Sequence, residues 1–397
     1  DVRRFPPGGG ARALMVAAVV RAALYASCSG AVAYALLAIA AARDFFGETP
    51  APDAPELPPI SVLKPIRGAE EDAGRNFLTF AEQDYPEFQL LFGALDGDDP
   101  GLDAARRIAR EHPGLDVEIV AGGDRGAGNP KVRNLANLEP HARHSLILVS
   151  DSDVRAPRDY LRRIAAAAAE PGVGVVTSPY RSHGRGWGGV LQALGNATEF
   201  QPSVFVARKL EGLRFALGAG VLVRRDVLEA IGGFSALAPY LADDLMLGRL
   251  PARAGRKVVL ALPVLDHELG SVTFAAYARR QIRWNRGIRA ARPGGYAGLF
   301  VTQSTVLALL LLAATGASPA GTAVAAAAVA SRLAMAWVVG AGALEDPSVR
   351  RGIALVPLRD LAAFGLWLAG FFGRTVEWRG ERFRIGRDGR IAPARPR

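Results

Sequence analysis

The stretch "SLILVSDSD", Ser145 to Asp153, decides how the middle of this chain is read. A short apolar run that stops abruptly on acids reads as a buried strand whose carboxyl end carries charge. Working outward, the same signature recurs. "PISVLKP" (Pro59 to Pro65), "FQLLFGALD" (Phe88 to Asp96), "LDVEIVA" (Leu115 to Ala121) and "GVGVVTS" (Gly172 to Ser178) read as further strands. The stretches Glu71 to Gln83, Leu102 to Glu111 and Arg158 to Ala169 read as helices between them. Strands alternating with helices predict an α/β domain built on a doubly wound, mostly parallel sheet. Ligands of such sheets lie beyond the carboxyl ends of the strands, which is where Asp96, Asp151 and Asp153 fall.

This domain is flanked by apolar sequence. Ala22 to Ala42 is an uncharged run of about the ~20 residues that a bilayer crossing needs. It lies too deep in the chain, and is too poor in a cleavage signal, to read as a signal peptide. Leu299 to Thr315, Ala320 to Leu344 and Ile353 to Gly373 form a second apolar cluster, the latter two holding Arg332 and the pair Arg359-Asp360. Charge at mid-membrane is costly and is normally paired, so Arg332 is expected near Arg359-Asp360 or those charges near an interface. One N-terminal and two or three C-terminal spans are predicted. The proline-rich "GETPAPDAPELPP" (Gly47 to Pro59) marks the start of the domain between them.

The chain has 397 residues, half of them hydrophobic, and a formal charge of +10. Its mean hydropathy is positive. The basic residues are nearly all arginine, with lysine only at positions 64, 131, 209 and 257. No nucleic-acid motif accompanies the positive charge, so its expected partners are anionic headgroups or a diphosphate. The single cysteine, Cys28, excludes an internal disulfide. The chain opens on Asp1 rather than Met, so a preceding segment is expected. From Arg374 to Arg397 eight arginines face three acids, which reads as a basic tail on the cytoplasmic side of the last span.

Several groups carry chemistry. Asp151-Ser152-Asp153 places two carboxylates at one strand end, able to reach a common divalent cation (Mg2+ or Mn2+) and a ribose. Asp96 can accept from a uracil ring or ribose, whereas Asp98 and Asp99 read as turn or helix-capping acids. Lys131, in the loop "GNPKVRN", is a candidate phosphate contact. "YLADDLMLGRL" (Tyr240 to Leu250) puts Asp243-Asp244 at the start of a helix, where acids are favoured and where Asp244 could serve as general base. "ARRQIRWNRGIRAARP" (Ala278 to Pro293) reads as an arginine-dense helix, with Arg280, Arg283 and Trp284 on one face. Arginine suits phosphate, and a basic helix lying on a membrane surface fits equally.

Taken together, these motifs resemble the ceramide glucosyltransferase family and its bacterial relatives, the hopanoid glycosyltransferases. The resemblance rests on Asp96, Asp151 and Asp244 followed by Arg280-Gln281-Ile282-Arg283-Trp284, together with "EQDYP", the "NPK" loop and the tail "FFGRTVEWRGERFRI". It covers roughly Pro58 to Ile385.

The resemblance implies a GT-A fold and a metal-dependent, inverting transfer of one hexose from a UDP-sugar to a lipid hydroxyl. Asp244 would be the base, Asp151 and Asp153 would hold metal and nucleotide, and Lys64, Asp96 and Lys131 would bind the uridine and phosphate side. Arg280, Arg283 and Trp284 would meet the leaving diphosphate, and His267 would be either a further metal or phosphate contact or a structural histidine. The expected organisation is an anchor over residues 1–46, a cytoplasmic catalytic domain over 47–293, membrane helices over 294–373 and a basic tail over 374–397, in a bacterial cytoplasmic membrane. Two other readings stay open: transfer of N-acetylglucosamine to bacteriohopanetetrol, and a non-catalytic membrane scaffold that kept the fold. The scaffold would be expected to lose a motif acid, and all are present.

Overall fold

The computed structural model describes residues 9–49, 57–123, 126, 128–378 and 381–394. Strands β1 (Ile60–Pro65), β2 (Phe88–Ala94), β3 (Asp116–Ala121) and β4 (Leu146–Ser150) form the predicted parallel half of a sheet, in the order β3-β2-β1-β4. Alternation along these strands serves two cores. Val62, Leu90, Phe92 and Leu148 face one cluster, and Leu63, Leu91, Ile147 and Val149 the other. Both faces of β1, β2 and β4 are covered, which is why these strands read as continuous apolar runs, whereas the edge strand β3 is only half-buried.

Three more short strands follow: β5 (Val154–Arg155), β6 (Val173–Thr177) and β7 (Tyr180–Arg185). The main sheet is completed by β8 (Gly220–Arg224) and β9 (Lys257–Leu260), in the order β4-β8-β6-β9. β8 runs antiparallel to both β4 and β6, so the seven-stranded sheet is mixed but mostly parallel, as expected for the GT-A type. A second sheet, β5-β10-β7, uses β10 (Leu265–Ser271). Its register sets His267 opposite Val154 on one side and Ser182 on the other, immediately after the acids that end β4.

Among the described residues, three helices are long and apolar enough to cross a membrane: Arg12–Gly47, Pro319–Ala343 and Pro347–Gly370. A fourth crossing is possible if Pro293–Thr302 and Ser304–Thr315, bent by 64°, act as one span. Cys28, Ala31, Leu307, Leu311, Ala325 and Ala328 pack three of these segments together. The expected pairing inside the apolar region is present. Arg332 Nη2 lies 2.8 Å from Asp360 Oδ1, and Arg359 approaches the same oxygen at 3.6 Å.

The C-terminal segment differs from the expected basic tail. It folds into an antiparallel sheet of β11 (Thr375–Trp378), β12 (Glu381–Ile385) and β13 (Ile391–Pro393). Val376, Phe383, Ile385 and Ile391 are buried beneath it. The arginines alternate with these residues and so occupy the other face. Residues 395–397 of the expected tail, and most of the proline-rich linker, lie outside the described residues.

Candidate active site

The site assembles at the carboxyl end of β4. Lys64, on β1, is fully buried. Its ammonium donates to Ser150 Oγ and to the Asp151 carbonyl, each at 3.0 Å, and lies 3.4 Å from the centre of the Phe80 ring. Burial pulls its pKa down to about 7, with Asp151, Asp153 and Glu70 pulling the other way. The ammonium is thus already engaged by the strand end. Lys64 is enclosed beneath the strand end and supports Asp151 from below.

Lys131 differs from expectation. "GNPKVRN" is not an irregular loop, because Pro130–Leu138 is a helix with Lys131 in its first turn. Asn129 caps it, its side-chain oxygen accepting from the amides of Lys131 and Val132 at 3.0 and 3.3 Å, and Pro130 occupies the first helical position, where its missing N–H costs nothing. The cap aims Lys131 inward. Its Nζ lies 2.6 Å from Asp151 Oδ1 and 3.3 Å from Asp243 Oδ2. Burial alone would lower the lysine's pKa, but the two carboxylates more than offset this and hold it charged.

Asp153 turns the other way. Its Oδ2 meets His267 Nε2 at 3.2 Å, and Ser182 Oγ lies 3.2 Å from His267 Nδ1. Burial would raise Asp153, yet His267 holds it down to about 2, and the same pairing raises the imidazole against its own burial. Asp153 Oδ1 is buried with no hydrogen-bond partner.

Asp243 and Asp244 open the helix Asp243–Arg253 as predicted. The chain before them is held from two sides. Asn129 Nδ2 donates to the Tyr240 carbonyl and to Asp243 Oδ1, each at 3.2 Å, while the Leu241 amide donates to Gly389 and the Ile391 amide to Pro239 from the C-terminal sheet. Asp244 Oδ1 accepts from the Leu245 amide at 2.7 Å. Gly218 lies against it, so close that a Cβ there would stand 3.1 Å from Asp244 Oδ2. Burial first, then Asp243, raises Asp244 to about 6.

Arg280, Arg283 and Trp284 lie on the helix Phe274–Ala291. Arg280 Nη1 donates to Gln192 Oε1 at 3.1 Å, and Trp284 is 41% exposed. Asp96 is exposed just past β2 and accepts from the Asp98 amide at 3.3 Å. Asp99 does not cap the next helix, whose first flanking residue is Gly101. It instead accepts from the amides of Gly68 and Gly101, tying two loops together.

Sequence reasoning assigned no role to Asn129, Ser182 or Gln192. The Asn-Pro pair opening a helix was a legible capping signal for the first. The other two become visible only when β7, β10 and the arginine helix are brought together.

Among the described residues no group of three or more His, Cys, Asp and Glu side chains forms a ready cage. Asp153 Oδ1 is nevertheless a buried carboxylate oxygen without a partner, two residues from Asp151 at one strand end. Hard oxygen donors of this kind, few in number, suit a cation that takes its remaining ligands from a diphosphate and water. The residues fit.

A mostly parallel sheet with acids at its strand ends, a capped lysine between them and an arginine helix alongside defines a glycosyltransferase of the GT-A type. The chain belongs to glycosyl transferase family 21, whose model matches residues 23–391. It is 27% identical over 233 residues to ceramide glucosyltransferase 1 of Caenorhabditis elegans, covering 58% of this chain and 50% of that protein. It is 27% identical over 158 residues to the ceramide glucosyltransferase of Komagataella phaffii, covering 39% of this chain and 30% of that one. The chain thus spans about half the length of the first of these relatives. Among solved structures, the mannosyltransferase of Pyrobaculum calidifontis in complex with GDP-Man and Mn2+ shares the fold, with a TM-score of 0.54 at 21% identity over 88% of this chain and 98% of that one.

Proposed function

We propose that this chain transfers one hexose from a UDP-sugar to the hydroxyl of a membrane lipid at the cytoplasmic face, with inversion at the anomeric carbon. The observation that carries this reading is Asp244. It is a half-buried carboxylate held near pKa 6 at a helix start, facing the Lys131-bridged acids, in a domain joined at both ends to apolar helices. A base poised near neutrality can take the proton of an alcohol as that alcohol attacks.

In the proposed reaction the lipid oxygen forms a bond to the anomeric carbon as the bond from that carbon to the UDP oxygen breaks on the opposite face. The hydroxyl proton passes to Asp244, and the electron pair of the broken bond leaves with UDP. Arg280 and Arg283 meet the charge that develops on the departing diphosphate, and Asp96 faces the uridine. Lys131 keeps Asp151 and Asp243 in place, and His267 fixes Asp153 through its second oxygen. Asp151 and Asp153 would hold a divalent cation, which when bound supplies neutralising charge at the diphosphate. The complex of the Pyrobaculum mannosyltransferase with GDP-Man and Mn2+ supports a nucleotide-sugar donor and a metal for this fold. The names of the curated relatives support a lipid acceptor.

The test is purified protein in lipid nanodiscs with labelled UDP-glucose or UDP-N-acetylglucosamine, offered ceramide, diacylglycerol and bacteriohopanetetrol. One labelled lipid is expected, lost on chelation and restored by Mn2+ or Mg2+. No labelled lipid with any pair overturns the reading.

A further inference from the structure

Tyr180 opens β7 and stands between two parts of the molecule. On one side its ring meets His267 edge-on, with centroids 5.5 Å apart. On the other it meets Phe200 at 6.0 Å. His267 belongs to the carboxylate cluster. Phe200 ends the single π-helical turn Asn196–Phe200, which runs on directly between the helices Gly186–Gly195 and Gln201–Glu211. Asn196 Nδ2 donates to the Tyr180 carbonyl at 3.0 Å, so strand and turn are fixed to each other.

That turn is seated among the apolar helices. Arg332, in the span Pro319–Ala343, donates to the Thr198 carbonyl at 2.9 Å and to Thr198 Oγ1 at 3.1 Å. Arg359, in the span Pro347–Gly370, pairs with Glu199 Oε2. Yet the turn is not sealed. Phe200 is 39% exposed and the Glu199 side chain 30%. An apolar ring and a carboxylate with acceptor capacity to spare therefore open outward at the level of the membrane helices, one ring away from the acids at β4.

The phenol of Tyr180 is raised above its ordinary value by burial first and then by Asp244, Asp151 and Asp153. It is a neutral hydroxyl at working pH and can both donate and accept. A lipid acceptor has to bring an alcohol out of an apolar phase to a charged site, and this is the juxtaposition such a passage needs.

We propose that Phe200, Glu199 and Tyr180 form the entry site for the lipid acceptor. Phe200 borders the acyl chains, Glu199 accepts a hydrogen bond from a second donor group on the headgroup, and the Tyr180 hydroxyl holds the reacting hydroxyl towards Asp244. This rests on the lipid-acceptor reading above.

The test measures initial rates in nanodiscs while donor and acceptor are varied separately. Tyr180→Phe keeps the ring and its packing and removes only the hydroxyl. It should raise acceptor KM or lower kcat about five-fold or more, the worth of one hydrogen bond, with donor KM unchanged. Phe200→Ala should raise KM for a long-chain acceptor but leave a short-chain, water-soluble analogue as in wild type. Glu199→Gln should weaken acceptors that carry a second N–H or O–H more than those that carry one hydroxyl alone. Acceptor kinetics like wild type in both Tyr180→Phe and Phe200→Ala overturn the entry site, as does a parallel rise in donor KM, which would mean a merely structural role. Wild-type protein that glycosylates no lipid would overturn the acceptor reading itself, and a working wild type with unaffected variants overturns only the entry site.

Discussion

Lys131 Nζ stands 2.6 Å from Asp151 Oδ1, so an acid from the end of β4 and a cation from a helix start form one unit. Asp243, 3.3 Å from the same ammonium, joins it. Three segments far apart in sequence thus share one charge balance. Removing the cation leaves two carboxylates crowded in a partly buried space, and an unpaired buried charge costs more than the pair contributes. Lys131→Met should lower turnover at least ~100-fold, as expected when a charged positioning group is lost from an active site. Adding Asp243→Asn should recover part of the loss, because the two changes act on one network. Strictly additive losses in this double-mutant cycle would refute the shared unit.

The raised carboxyl of Asp244 sets the sign of a pH effect. A base works deprotonated, and this group loses its proton near pH 6. The rate should therefore be low at pH 5, rise through about pH 6 and level off above 7. Asp244→Asn should be inactive at every pH while still binding UDP-sugar. The check is the pH profile of kcat, with donor binding followed separately by calorimetry. A profile flat from pH 5 to 7 would remove Asp244 as the base.

How far the sequence could be read follows from what each signal depends on. Four of the five strands were legible because both faces of the sheet are buried there, so that Val62 and Leu63 are alike apolar, and the half-buried edge strand β3 through its own Val and Ile. Asp151, Asp153 and Asp244 were legible as acids placed at element ends. Lys131 was misread because "GNP" suggests a loop, although Asn129 and Pro130 are also a helix start. A lysine inside an apolar strand points either to a ligand or to a buried partner, and only the fold supplies Ser150 and the Asp151 carbonyl as neighbours of Lys64. The C-terminal sheet was hidden by composition. Its apolar residues are few, and arginines fill the alternate positions.

That sheet has a consequence for the site. Gly389 and Ile391 bond to the main chain at Leu241 and Pro239, and Tyr240 and Arg390 pair across the junction, just ahead of Asp243-Asp244. Arg286 also donates to Phe372 and Thr375, linking the sheet to the arginine helix. A chain ending at Gly373 should still enter membranes but lose most of its turnover, with donor binding much less affected. Co-expression of the missing segment as a fusion to a soluble carrier should not restore it fully, since closure of the loop would then require association. Turnover and UDP affinity measured on the truncated protein check this, and full activity would show that the Asp244 loop holds its place without the sheet.

The pair Arg332–Asp360 is the last relationship with a measurable cost. Arg332 meets both Asp360 oxygens, at 2.8 and 3.1 Å, and Thr305 Oγ1 donates to one of them at 2.9 Å. Both charged residues are buried, on two different apolar helices, and Arg332 also reaches Thr198 in the catalytic domain. The cluster therefore fixes how the α/β region sits on the apolar helices. Asp360→Asn keeps the shape of the side chain but turns one accepting oxygen into a donor and leaves Arg332 without its counter-charge. That should cost about 3 kcal/mol, the usual size for breaking a buried pair from one side, seen as a lower melting temperature in detergent. Arg332→Met with Asp360→Leu removes both charges and should regain more than half of the lost stability, since an apolar pair of similar volume carries no desolvation penalty. The double variant should still show weakened turnover, because Thr198 and the turn that ends at Phe200 lose their anchor. If Asp360→Asn melts like wild type, the pair does not hold these elements together.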